Sequence, residues 1–132
     1  MLVMSDRTVE IILYVRSQDS ARDFYSAVLD QKPDLDDSGI LEYLLNEGVC
    51  LAIMPIADVA PMFAPMGLDP SSGIGIPRGE VYLRVKDPEA YLERLVAAGG
   101  TLISPVAPTD WGEDVGYGAD PDGHILTFAR LK

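Results

Sequence analysis

Polar and apolar residues alternate along Val9 to Val15 so that Val9, Ile11, Leu13 and Val15 fall on one face and Glu10, Ile12 and Tyr14 on the other. The β-branched and aromatic content of Thr8 to Val15 predicts a strand buried on both faces or nearly so. After Ser17 the period becomes helical. Ala21, Phe24, Tyr25 and Val28 form one stripe, the Ser17 hydroxyl is placed to cap it, and a helix is predicted over 18–29. Gln31 to Gly39 is polar and turn-rich, and Pro33 bars a central ladder position, so any strand there is short and at an edge. Ile40 to Asn46 and Val49 to Met54 are apolar runs separated by Glu47-Gly48, which predicts a hairpin.

The same order then returns. Glu10-Ile11-Ile12-Leu13-Tyr14-Val15-Arg16 reappears 70 residues on (80 minus 10) as Glu80-Val81-Tyr82-Leu83-Arg84-Val85-Lys86. At that offset Glu10/Glu80, Leu13/Leu83, Val15/Val85 and Ala27/Ala97 are identical. A period this long implies two copies of one supersecondary unit. In the second copy Asp87 is a helix cap, Pro88 occupies the first turn, where its missing N–H costs nothing, and Gly99-Gly100 stops the helix. Strands are predicted over Thr101 to Val106, Glu113 to Ala119 and His124 to Leu131, with Asp120-Pro121-Asp122-Gly123 as the turn between the last two. The organisation expected is a single domain over 1–132, with module one at 8–55, a connector at 56–79 and module two at 80–131. The connector is rich in proline and glycine, and its Met62, Phe63 and Met66 suit either an apolar lid or packing at the domain edge.

With 132 residues and 48% hydrophobic content the chain can own a core, whereas each half alone is marginal; the halves are expected to share a core or to pair across a homodimer. A net charge of −11 and a pI near 4.2 argue against nucleic acid and anionic membranes as partners and favour cationic ligands. Cys50 has no partner for an internal disulfide, and neither a signal peptide nor an apolar run of about 18 residues is present. A cytoplasmic location is expected.

Strand parity selects the candidate site. Val81, Leu83 and Val85 should face the second helix, leaving Glu80, Tyr82 and Arg84 with Glu10, Ile12 and Tyr14 on the concave side. Tyr14, Tyr82 and Tyr117 offer stacking surface, Leu51 and Ile53 an apolar floor, and Trp111 a planar group for an aromatic or cationic ligand. Cys50, alternating with Leu51, is expected toward the helix as a small buried hydrophobe. His124, the sole histidine, follows a tight turn and is expected to cap it or lie at the surface.

Taken together, the first strand, Asp23-Phe24-Tyr25-Ser26-Ala27-Val28-Leu29, the second strand with Leu92-Glu93-Arg94-Leu95-Val96-Ala97-Ala98-Gly99-Gly100, and Ala119-Asp120-Pro121-Asp122-Gly123-His124 make the chain resemble the vicinal oxygen chelate superfamily. This group includes glyoxalase I, extradiol dioxygenases and bleomycin-resistance proteins. The resemblance implies an α+β fold of two tandem βαβββ modules forming a curved mixed-sheet cleft, commonly completed in a homodimer. It also implies metal-ligand positions at Glu10, near Leu51, at Glu80 and at Thr127. Leu51 has no donor and the Thr127 hydroxyl is a poor ligand, so the expected metal site is incomplete, holding at most a weakly bound divalent ion. Two readings follow. In one the protein binds or sequesters a small aromatic or cationic molecule through Glu10, Tyr14, Leu51, Ile53, Glu80, Tyr82, Trp111, Tyr117 and Thr127. In the other it is a divalent-metal-dependent lyase, isomerase or dioxygenase of the glyoxalase type using Glu10 and Glu80, the two catalytic candidates, with Glu42 or Asp114 as further ligands.

Overall fold

A computed structural model describes residues 8–132. The chain forms two compact units, one of residues up to 26 with 30–73, the other of 27–29 with 74–132.

The first unit carries β1 (Val9–Val15), α1 (Gln18–Leu29) except for its last three residues, β2 (Leu35–Asp37), β3 (Ile40–Asn46) and β4 (Val49–Pro55). The sheet order is β1-β4-β3-β2, with β1 parallel to β4 and the other pairs antiparallel. Ser17 starts α1, its hydroxyl accepting from the Ser20 N–H at 3.2 Å, which satisfies one of the otherwise orphaned amide donors of the first turn. Behind the sheet Tyr43 is fully buried, and its hydroxyl and that of Ser26 on α1 stand 2.9 Å apart. Phe24, Tyr25, Leu41, Leu51 and Ile53 complete this core.

The connector holds more structure than its composition suggests. It forms α2 (Ile56–Phe63), followed by single 3-10 turns at Ala64–Met66 and Pro70–Gly73. Pro55 precedes the first helical residue, Val59 is fully buried and anchors the helix, and Pro61 lies inside it. Eight residues containing a proline give too little periodic signal to read as helix from sequence.

The second unit repeats the plan with β5 (Glu80–Val85), α3 (Pro88–Ala97), β6 (Thr101–Pro108), β7 (Asp114–Ala119) and β8 (Ile125–Arg130), ordered β5-β8-β7-β6. Again the first strand runs parallel to the last and the remaining pairs are antiparallel. The Asp87 carboxylate caps α3 by accepting from the Ala90 N–H at 3.1 Å, and Pro88 occupies the first turn. Gly116 and Gly118 lie beneath the helix: a Cβ on Gly116 would stand 2.4 Å from Leu92 Cδ1, and one on Gly118 2.7 Å from Leu95 Cδ1. Without side chains at these points, Leu92 and Leu95 sink onto the sheet. No helix among the described residues is long and apolar enough to cross a membrane.

Candidate functional site

In the second unit strand register collects the polar side chains on the sheet face away from α3. Tyr82 stands opposite Thr127, and Thr127 opposite Tyr117, so these three share a face with Glu80. The fully buried Thr127 hydroxyl donates to Glu80 Oε1 at 3.0 Å. Because that proton is committed to Glu80, Thr127 acts as a support that orients the carboxylate.

Farther along the same face a chain of hydrogen bonds fixes Trp111. Its indole Nε1–H donates to the Tyr82 hydroxyl at 3.1 Å, and that hydroxyl donates to Glu113 Oε1 at 2.7 Å. Arg84 grips the same carboxylate twice, Nε to Oε2 at 2.7 Å and a terminal guanidinium N–H to Oε1 at 3.2 Å. The guanidinium carbon also lies 5.1 Å from the Tyr82 ring centroid. The loop holding Trp111 is closed on itself. The Thr109 hydroxyl donates to the Glu113 carbonyl at 2.8 Å and its backbone N–H to the same oxygen at 3.0 Å, while Gly112 takes a φ of +87° to make the turn. Trp111 nevertheless remains 57% exposed.

Charge in this network is internally balanced. The Arg84 guanidinium, and after it the Tyr82 hydroxyl, hold the Glu113 carboxyl below the ordinary glutamate range; Glu113 in turn raises Arg84. Burial pushes the Tyr82 phenol up, with Glu113 adding to the rise and Trp111 opposing it. Tyr82 therefore stays neutral at physiological pH. Glu80 is outside this ion pair and accepts from Thr127.

The first unit gathers a different set. Parallel register places Glu10 beside Cys50, and antiparallel register places Glu42 beside Ala52, which shares the face of Cys50. One ligand atom from each of Glu10, Glu42 and Cys50 lies within 4.8 Å of the others. Glu10 Oε1 is buried and accepts no hydrogen bond among the described residues. Tyr14 lies on this face too, its ring 6.2 Å from that of Phe63 on α2.

Two sequence expectations are corrected here. Leu51 and Ile53 are not a floor beneath Glu10: they pair with Ile11, Leu13, Tyr43 and Leu41, on the face where Tyr43 reaches α1. Cys50 accordingly lies on the Glu10 face and not toward the helix. Register between parallel strands is set by packing rather than by a tight turn, which is why alternation along β4 alone assigned the wrong side. His124 belongs to the β7–β8 turn as expected, its backbone N–H donating to Asp120 Oδ1 at 2.8 Å. Asp114 accepts from Arg130 at 3.4 Å.

Sequence reasoning missed Glu113 as a site residue. Alternation pointed to it, because Glu113 is four residues before Tyr117 and so shares its parity.

Two of the ligand positions implied by the family resemblance differ in kind from the glutamates at the other two. Leu51 is apolar and on the helix side, and the Thr127 hydroxyl donates to Glu80. Glu42 and Cys50 stand beside Glu10 in its place.

Residues 7–128 match the Glyoxalase/Bleomycin resistance protein/Dioxygenase superfamily. The chain belongs to this family. Among curated proteins it is similar to an uncharacterized protein of Mycobacterium bovis, 30% identical over 129 residues, which span 98% of this chain and 79% of that one. Among solved structures, a glyoxalase-related enzyme from Fulvimarina pelagi shares 27% identity with a TM-score of 0.74, covering 95% of this chain and 88% of the other. A glyoxalase/bleomycin resistance protein/dioxygenase family enzyme from Burkholderia phytofirmans has a TM-score of 0.73 at 15% identity, over 96% of this chain and 99% of that one, a likeness of fold alone. The two βαβββ units are those of this family.

Proposed function

We propose that the protein binds a small aromatic or cationic molecule without transforming it, on the acidic, tyrosine-bearing face of the second unit. The observation that carries this reading is Trp111: a large exposed ring held still by the Tyr82–Glu113–Arg84 network. A free tryptophan side chain loses rotamer freedom when a ligand stacks on it, whereas one already immobilised presents its π-face with that entropy largely spent. Glu80, oriented by Thr127, supplies a carboxylate for a cationic or hydrogen-bond-donating group, and Tyr117 extends the stacking surface.

A thermal-shift series with benzyltrimethylammonium as the probe tests the reading. The expected result is concentration-dependent stabilisation that Trp111→Ala and Glu80→Gln each reduce. Equal stabilisation of the wild type and Trp111→Ala would count against it.

A second reading, metal-dependent lyase, isomerase or dioxygenase activity, is favoured by one observation in the first unit. Among the described residues Glu10 Oε1 is buried without a hydrogen bond, beside the donor atoms of Glu42 and Cys50. Two carboxylates and a thiolate suit a borderline divalent ion such as zinc. Stoichiometric metal in protein purified without chelator supports this reading, and its persistence in a Cys50→Ser, Glu42→Gln double variant opposes it.

A further inference from the structure

On the opposite side of the second sheet, α3 and β6 flank a groove of about 490 Å³. Its origin is local. Gly116 and Gly118 let Leu92 and Leu95 settle deep over β7, so α3 is drawn toward the sheet centre. β6, the edge strand, meanwhile shifts its register against β7 twice, between Leu102 and Ser104 and between Ser104 and Ala107, and carries Pro105. Such bulges bend an edge strand away from its neighbours, and the space between helix and strand stays open.

The walls are apolar. Leu92 and Val96 of α3 face Leu102 and Val106 of β6. Val96 is 48% and Leu102 46% exposed, a large share for branched aliphatic residues in mutual proximity. The rim on the helix side is acidic, formed by Glu89 and Glu93 one turn apart. Glu89 is engaged by Arg130 at 2.6 Å, whereas Glu93 is in no ion pair among the described residues. The volume of this open groove is in the range, roughly 300–1,000 Å³, that takes small organic molecules.

We propose that this groove is a binding site for an amphiphilic organic cation, its aliphatic part lying between Val96 and Leu102 and its ammonium group beside Glu93. Charge complementarity selects the sign. With a net charge of −11 and a free carboxylate at the rim, an anionic amphiphile of the same shape is repelled. Burial of the alkyl chain supplies the affinity and Glu93 the preference for a cation. The site is separate from Trp111, which belongs to the polar sheet face that the proposed function uses.

Isothermal titration of the intact protein with decylammonium, below its micellar concentration, tests the inference, with decanoate and decanol as controls of the same length. Saturable one-to-one binding of decylammonium is expected, with decanol weaker and decanoate weakest. Glu93→Lys should raise the dissociation constant roughly tenfold, since it replaces an exposed attraction by a repulsion of similar size. Leu102→Asp, at a half-exposed position, should abolish binding while leaving the melting transition in place. In the Trp111→Ala protein, which lacks the stacking ring of the other face, decylammonium should still bind one-to-one. Equal affinity for decanoate, an unchanged constant in Glu93→Lys, or loss of binding in Trp111→Ala would each overturn the proposal. The last outcome would move the amphiphile to the other face and leave the proposed function standing.

Discussion

The Trp111 indole donates to the Tyr82 hydroxyl at 3.1 Å, and that hydroxyl donates onward to Glu113. Tyr82 is therefore the hinge of the network: its one oxygen accepts from an exposed ring and passes a proton toward a carboxylate pinned by Arg84. Removing that oxygen disconnects Trp111 from the sheet.

Tyr82→Phe should leave the fold intact and lower stability by about 1 kcal/mol, the usual net worth of a part-buried hydrogen bond. Because the chain has a single tryptophan, its fluorescence reports this site alone. Acrylamide quenching should rise and steady-state anisotropy fall. Unchanged quenching would mean that the loop closure through Thr109 suffices to hold the ring.

Glu113 gives the site a pH signature. Its folded pKa lies below the unfolded value because Arg84 and Tyr82 stabilise the carboxylate. A depressed carboxyl contributes stability that is fully present above the unfolded pKa, about 4.3, and is lost as pH falls through the folded one. The wild type should lose melting temperature below about pH 4.5, and Glu113→Gln should be less stable at neutral pH with a shallower acid limb. Parallel acid limbs for the two proteins would contradict the assignment.

Gly116 tests the packing that seats α3. Gly116→Val puts a branched side chain where even a Cβ stands 2.4 Å from Leu92 and 3.1 Å from the Val106 backbone N. Chemical denaturation should show a loss of about 1–3 kcal/mol, the range for overpacking a closed core. A change within about 0.5 kcal/mol would mean that α3 moves off the sheet at no penalty.

For the first unit, Co²⁺ is the informative probe. If Glu10, Glu42 and Cys50 bind a divalent ion, added Co²⁺ should give a thiolate-to-metal charge-transfer band that vanishes in Cys50→Ser. The same band in the Cys50→Ser protein would place the metal elsewhere.

The order of elements was readable because its signals are local. Ser17 and Asp87 cap their helices, Gly99 follows α3 with a positive φ, and the Asp120–Gly123 turn joins β7 to β8. The α+β plan of paired βαβββ units followed from the return of the Glu10 strand at Glu80. What escaped depends on partners distant in sequence. Parallel pairing of β1 with β4 puts Cys50 beside Glu10, and nothing within either strand states that register. α2 was hidden by Pro55 and Pro61, although the fully buried Val59 anchors it. In the second unit, alternation put Tyr82 on the face of Glu80, where register also brings Tyr117 and Thr127, while Glu113, just before β7, was counted as strand and not as the carboxylate that organises the face.

The most direct measurement is a titration of Trp111 fluorescence with benzyltrimethylammonium and an uncharged aromatic of matching size. A saturable change is expected, stronger for the cation, weakened in Glu80→Gln and weakened further when Tyr82→Phe frees the ring. Trp111 emission that stays constant while the probe demonstrably binds would contradict the account, because the ligand would then sit away from the one exposed ring that the protein holds fixed.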